Sequence, residues 1–528
     1  MRWTQGALAA GAGALTAALI AVAPAAATPV VVVEDGRSVV RDDPYLPADA
    51  GPEPGDAAAL PDSGARCEDT APARPPAPSE RAQASASRGA SVRKVLSDAR
   101  AKRKISASKY REYRKAYDGA RSTRRRLSGA RRAELSSVIA VLERIAARGQ
   151  LAVSRMPALF LQLARNAQYW RTESVPQTPT VAPSKQPCFG GTGSGGARVT
   201  FGDDPILFQW YRGKGLQIQP LGNFGKVNAL WSACAEPTAK SPPCKREDLR
   251  RYLDRMVDIA SSRGGFTTWE YFFHFGGGTP PWISGMAQGT GIQALSRGAQ
   301  FLAEPRYLRV AKSALGAFTR RPPTGVRVAA DGGAHYLLYS FDRRLFVLNG
   351  FLQSLIGIHD YYKLSGDARA GELFEQGDVA ARNEVPQYDT GAWSLYSRRG
   401  RESDLGYHKL VRDFLRRLCD RTSRSVYCAT ADKFTAYLRE SPRVNFIGAS
   451  GATEGRQAQV RFELSKISCV TIRISRDGSR VYKKTLVFGR GTRAFSWKPL
   501  KSGTYSVELT AEDLSRHKTE VKGTIEVG

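Results

Sequence analysis

The sequence is poor in the groups from which metal centres are made. Seven cysteines and five histidines are spread over 528 residues, no C-x-x-C occurs, and His274, His335, His359, His408 and His517 are scattered. A cysteine-based zinc site is therefore not expected, and no cofactor is called for. No G-x-S-x-G elbow and no H-E-x-x-H helix occurs, which removes the usual signatures of serine hydrolases and zinc peptidases. The glycine run at 190–196 has no Lys-Ser/Thr after it, so it is not a phosphate loop. After the N-terminus no unbroken apolar run is long enough to span a bilayer.

Met1 and Arg2, an apolar run from Ala7 to Val22, and Ala25-Ala26-Ala27 before Thr28 follow the order of a cleavable secretory signal. The expected protein is exported, secreted or wall-associated, with no transmembrane segment once the signal is removed. In an oxidising compartment the close pairs Cys234/Cys244 and Cys419/Cys428 read as local disulfides. Cys67 and Cys188 are candidates for a longer bridge, which leaves Cys469 over.

Charge is strongly one-sided. Lys and Arg number 79 against 49 Asp and Glu, a formal net charge of +30. Part of this reflects a composition in which Arg outnumbers Lys. Outside the cytoplasm such a field points to an acidic polysaccharide, a wall polymer or an anionic surface rather than to nucleic acid.

The pattern along the chain predicts several units. Residues 1–27 are the signal, and 28–90 read as a disordered Pro/Ala-rich linker. Val30–Val33 forms a short strand-like run with no evident partner. Residues 91–171 are basic and helical. Leu135, Val138, Ile139, Leu142 and Ile145 lie on one helical face, and the basic face is either a solvated surface or a docking arm for a polyanion. Residues 172–199 are a Pro/Gly-rich linker.

Residues 200–440 read as paired helices: 285–302 with 307–318, 346–364 with 368–382, and 404–418 with 429–438. Tight turns such as Ser365-Gly366-Asp367 join them. The fold class expected is mainly α, an incomplete α/α toroid, with its site where the inter-pair loops converge. Residues 442–528 switch to period 2, with turns at Asp477-Gly478, Gly489–Gly491 and Lys501–Gly503, and read as an Ig-like β-sandwich that serves as a spacer or binding module.

Four loops hold the candidate chemistry: 215–226, 269–291, 332–351 and 388–410. They are rich in Tyr, Gly, Arg and amides and poor in carboxylates. Glu270, Asp342 and Asp389 are the acids available for a two-carboxylate glycosidase, and Asp389 looks like a turn residue. A Tyr/Arg site has a different logic. Removing the proton α to a carboxylate leaves an enediolate, which Arg can offset while a tyrosinate with a pKa lowered by nearby cations takes the proton. Return of a proton on the opposite face inverts the carbon, whereas loss of the C4 substituent makes a lyase.

The blocks GLQIQPLG, PPWISGMAQGTGIQAL, FVLNGFLQSLIGIHDYY and YDTGAWSLY-x-x-R, in that order over about 200–435, resemble the catalytic region of the D-glucuronyl C5-epimerases. The resemblance implies an incomplete α/α toroid, a uronate-containing polysaccharide as substrate, and a tendency to form homodimers. It implies catalytic roles for Tyr339, Tyr396 and Tyr407, and a carboxylate- or glycan-binding role for Arg399. Gln288, Asn349 and His408 are further substrate-binding candidates. Where that family carries a glutamate before the first of these tyrosines, this chain has Leu337-Leu338. Glu270 is then the candidate acid/base. The alternatives are a catalytically silent glycan- or wall-binding protein and a uronate polysaccharide lyase on the same fold.

Overall fold

The computed structural model describes residues 28–46, 90–176 and 196–528. The export signal, Cys67 and Cys188 lie outside the described residues.

The first described segment corrects an expectation. Part of the presumed linker is a hairpin, β1 (Thr28–Glu34) and β2 (Arg37–Asp43). The valine run of β1 buries Val30, Val31 and Val33, and it finds its second partner about 170 residues away. Such a long-range pairing leaves no local mark in the sequence.

Four helices follow: α1 (Val92–Ala101), α2 (Ala107–Arg126), α3 (Gly129–Ala147) and α4 (Met156–Thr172). Ser91 and Ser106 cap the first two by accepting from the amides of Lys94 and Lys109, which satisfies donors that a helix start leaves orphaned. The expected apolar face of α3 is buried. Strands β3 (Arg198–Phe201), β4 (Asp204–Tyr211) and β5 (Gly215–Ile218) complete a five-stranded sheet in the order β2-β1-β3-β4-β5, with β1 parallel to β3. Asn166 of α4 fastens β5 by accepting from the amide of Leu216 and donating to its carbonyl.

Eight helices form four consecutive pairs. The first, α5 (Pro220–Ala235) with α6 (Arg246–Asp258), was not expected from the sequence. After the short hairpin β6 (Ser261–Arg263) and β7 (Phe266–Thr268) come α7 (Gly285–Phe301) and α8 (Pro305–Ala314). The hairpin β8 (Arg327–Ala330) and β9 (Gly333–Tyr336) leads to α9 (Leu348–Ser365) and α10 (Ala368–Glu384), and then to α11 (Leu405–Thr422) and α12 (Ser425–Tyr437). The expected Ser365-Gly366-Asp367 turn is present. Gly366 ends α9 with φ 67°, and Asp367 caps α10.

The first members of the pairs, α5, α7, α9 and α11, pack side by side in that order, and each carries its partner on its flank. Close approach of α7 and α9 depends on missing side chains. A Cβ at Gly357 would stand 2.0 Å from the carbonyl oxygen of Gly289. At the C-terminal ends of these helices Asp360 accepts from Gln293, Arg297 and Arg421. The expected disulfides Cys234–Cys244 and Cys419–Cys428 are both formed. Cys469, expected to be left over, is disulfide-bonded.

The C-terminal unit has two sheets. One is β10 (Val444–Ser450), β11 (Ala458–Leu464) and β14 (Gly491–Trp497). The other has the order β13-β12-β15-β16, from β12 (Ser468–Arg476), β13 (Ser479–Phe488), β15 (Gly503–Asp513) and β16 (Lys518–Val527). Alternate residues of β11 and β15 point into a shared core. The β12–β13 turn is the expected Asp477-Gly478, both at positive φ.

Candidate active site

The segments that precede α5, α7, α9 and α11 meet at one end of the inner helices. Tyr339 is tied to the start of α7 by a bridge to Ser284. Tyr396 lies in the 389–404 loop before α11, and Tyr407 is in the first turn of that helix. Asn349 is the second residue of α9. All four side chains are buried.

These residues come together. The rings of Tyr396 and Tyr407 are edge-on at 4.7 Å between centroids. Burial pushes the hydroxyls of Tyr339 and Tyr407 well above the ordinary phenol range, and the neighbouring Tyr396 pushes both further. The Asn349 amide opposes the rise at Tyr407. The hydroxyls of Tyr339 and Tyr407 and the Nδ2 of Asn349 have no hydrogen-bond partner among the described residues. Three orphaned polar atoms in one buried cluster are costly, and they are the pattern of a site that completes its hydrogen bonds with a ligand.

A second group continues the cluster. Tyr271 stacks flat on Trp282 at 4.2 Å, and its hydroxyl donates to Gln219. The Gln219 amide in turn donates to the Tyr211 hydroxyl at 2.9 Å. Tyr211 and Tyr271 are near enough to add to the rise at Tyr339. Tyr339 itself lies over Phe341, 5.3 Å between ring centroids, with the edge of Trp282 beside it. Sequence reasoning missed Tyr211, Gln219 and Tyr271 as site residues. Gln219 and Tyr271 lie in two of the loops it singled out, but nothing local marks them among the neighbouring amides and aromatics. Tyr211, at the end of a strand, carries no signal at all.

Other expected residues lie elsewhere. Glu270 is buried and clamped by two guanidiniums, Arg155 at 2.6 Å and Arg263 at 2.7 Å. Its oxygens are occupied in docking the segment before α4 onto the β6–β7 region, which leaves none for a reacting proton. Gln288 is also structural. Its amide donates to the carbonyls of Thr267 and Ala314 and accepts from Thr268. His408 stacks on Trp393 at 3.8 Å, shares a hydrogen bond with Ser394 and donates to the carbonyl of Phe434. Both its nitrogens are used, and burial pushes its pKa down to about 4. His335 contacts Glu384 at 2.9 Å, yet burial outweighs that carboxylate and lowers its pKa.

Arg399 is exposed at φ 60° in the turn after Tyr396 and makes no ion pair among the described residues. Its neighbour Arg398 is the anchored one, on Asp331 and over the Phe346 ring. Tyr339 and Tyr407 are therefore not resting tyrosinates stabilised by adjacent cations. Tyr339 and Tyr407 are shifted towards the protonated form, because burial and the neighbouring phenols dominate. Leu338 is buried with its side chain against Gly350, next to Asn349. A shallow surface dent lined by Gly264, Phe266, Lys312 and Arg369 contains none of the tyrosines.

Paired helices with a buried, incompletely bonded tyrosine cluster between their connecting loops define the class. Residues 263–436 match the family model of the D-glucuronyl C5-epimerase C-terminus. A D-glucuronyl C5-epimerase of Caenorhabditis elegans is 32% identical over 178 residues, 30% of this chain and 29% of that protein. An uncharacterized protein of Methanocaldococcus jannaschii is 26% identical over 169 residues, 31% of this chain and 55% of that protein. The chain thus spans under a third and about half the length of these two relatives. A solved sugar epimerase from a ruminal bacterium shares 12% identity, covering 43% of this chain and 61% of its own, with a TM-score of 0.30. Residues 263–436 are thus similar to the C-terminal part of the D-glucuronyl C5-epimerases.

Proposed function

We propose that this protein is an exported carbohydrate C5-epimerase that acts on uronate residues of an acidic polysaccharide, with its four helix pairs forming an incomplete α/α toroid and its C-terminal sheets an Ig-like sandwich. The observation that carries the reading is the Tyr339–Tyr396–Tyr407 cluster, in which the hydroxyls of Tyr339 and Tyr407 are orphaned. In the reaction the C5–H bond breaks, its proton passes to a phenolate oxygen, and the electron pair moves into the carboxylate to give an enediolate. A neighbouring phenol then returns a proton to C5 from the opposite face.

One negative charge in a buried phenol cluster is best placed on the member that lies between the other two. That member is Tyr396. Tyr339 and Tyr407, held protonated by their surroundings, suit the role of donor. The four inner helices start at this end, and their partial positive charges favour a developing anion. Arg399, on the exposed turn after Tyr396, is the candidate to meet a substrate carboxylate from outside the cluster.

The basic helices α1–α3 support a polyanionic chain as substrate. Arg124, Arg125 and Arg126 fill the last turn of α2, and Arg131 and Arg132 follow at once. The two local disulfides and the lack, among the described residues, of a helix long and apolar enough to cross a membrane fit the export reading.

One observation favours a second reading. Leu338 packs as a core residue where the family resemblance places a glutamate, which suits a silent glycan-binding protein. The two are separated by incubating the protein with a glucuronate-containing polysaccharide in deuterated water and following C5 by NMR. Deuterium at C5 with inverted product supports the epimerase. An unsaturated product indicates a lyase, and binding without exchange sinks the enzyme reading for that polymer.

A further inference from the structure

A spacer or binding module needs only a small contact with its neighbour. The C-terminal sandwich is instead built into the loop that carries Tyr396. Three ties make the connection, and each uses buried groups.

The first is Glu402, 6% exposed. One oxygen accepts from the amide of Ile467 and the other from the amide of Arg490, both at 2.8 Å. Within the loop Glu402 pairs with Leu395 in a β-bridge, and the Tyr396 amide donates to the carbonyl of Arg401. The carboxylate thus clasps the strand-like pair that bears Tyr396.

The second is Lys466, whose side chain is 2% exposed. It pairs with Asp513 at 2.7 Å and donates to the carbonyls of Tyr437 and Glu440 at the end of α12. Its ammonium stands 5.4 Å from the centroid of Trp393. Trp393 in turn stacks on His408 and donates to the carbonyl of Ser403, and His408 is the neighbour of Tyr407. The third tie is apolar. Ile467, Cys469, Val487 and Leu514 of the sandwich belong to the hydrophobic core of the helical part rather than to the sandwich's own. Buried charges are costly unless paired and hydrogen-bonded, and here they are spent on fixing one loop and one helix start.

We infer that the C-terminal sandwich is a working part of the active site: it holds the Tyr396 loop in place, with Glu402 as the positioning residue. The inference rests on the reading of the tyrosines given above, and its test has a readout that does not. Full-length Glu402→Ala and Glu402→Gln proteins are compared with wild type by hydrogen exchange resolved to the 389–404 loop and to α9. In Glu402→Ala the amides of Leu395, Tyr396 and Ser403 exchange at least about tenfold faster, the scale of a buried donor losing its partner. Those of α9 stay within about twofold. Glu402→Gln, which keeps one acceptor, falls between.

Deuterium incorporation at C5 of a glucuronate polysaccharide loses kcat by about tenfold or more in Glu402→Ala, with KM within about twofold. An unchanged loop in Glu402→Ala overturns the inference. So does faster exchange throughout the molecule, or a loosened loop with unchanged kcat. If wild type itself incorporates no deuterium, the proposed function fails while hydrogen exchange still decides whether the sandwich fixes the loop.

Discussion

At the scale of single residues the environment, not the residue type, decides the role. Glu270, Gln288 and His408 have chemistry suited to a sugar site, yet each is used up by its partners. His408 gives a test. Its imidazole is down to about 4 in the folded chain against an ordinary 6.5, so between these values the unfolded chain binds more protons. Its stabilising contribution is therefore complete above about pH 6.5 and is lost as pH falls towards 4, by up to roughly 3 kcal/mol. Thermal unfolding followed from pH 7 to 4 is expected to show Tm falling. His408→Gln should flatten that fall, and His335, buried and lowered in the same sense, contributes to the part that remains.

At the scale of elements much was legible in the sequence. The three later helix pairs lie within a few residues of their expected bounds, because apolar periodicity and turns such as Ser365-Gly366-Asp367 are local signals. The first pair was missed. Pro220 opens α5 as the first-turn proline it is suited to be, but the mixed face of α5 hid its period. The hairpin at 28–43 was missed because its stabilising partner is β3. The family resemblance named three tyrosines that the fold brings together, and no sequence pattern could show that Arg399 stands outside their cluster or that Glu402 accepts from the amide of Ile467 in the C-terminal unit. Helix contact makes its own prediction. Gly357→Ala places a methyl against the Gly289 carbonyl, so unfolding should show a loss of about 1–3 kcal/mol or more. An unchanged Tm would mean that α7 and α9 are not packed as described.

At the scale of the whole molecule, the basic helices, the paired helices and the sandwich are fastened together by buried charged side chains. Arg155 and Arg263 share Glu270. Arg155→Ala leaves that buried carboxylate with one guanidinium, which should destabilise the protein by about 3 kcal/mol and speed hydrogen exchange in α4 more than in α12. Equal change in both would contradict the docking role given to this pair.

In the proposed reaction the tyrosine cluster moves a proton at C5. Its most direct measurement is deuterium at C5 of a glucuronate-containing polysaccharide in deuterated water, for wild type and Tyr407→Phe side by side. Wild type is expected to incorporate deuterium with inverted product, and Tyr407→Phe to lose about a hundredfold or more of that incorporation. Equal incorporation by the two proteins would contradict it.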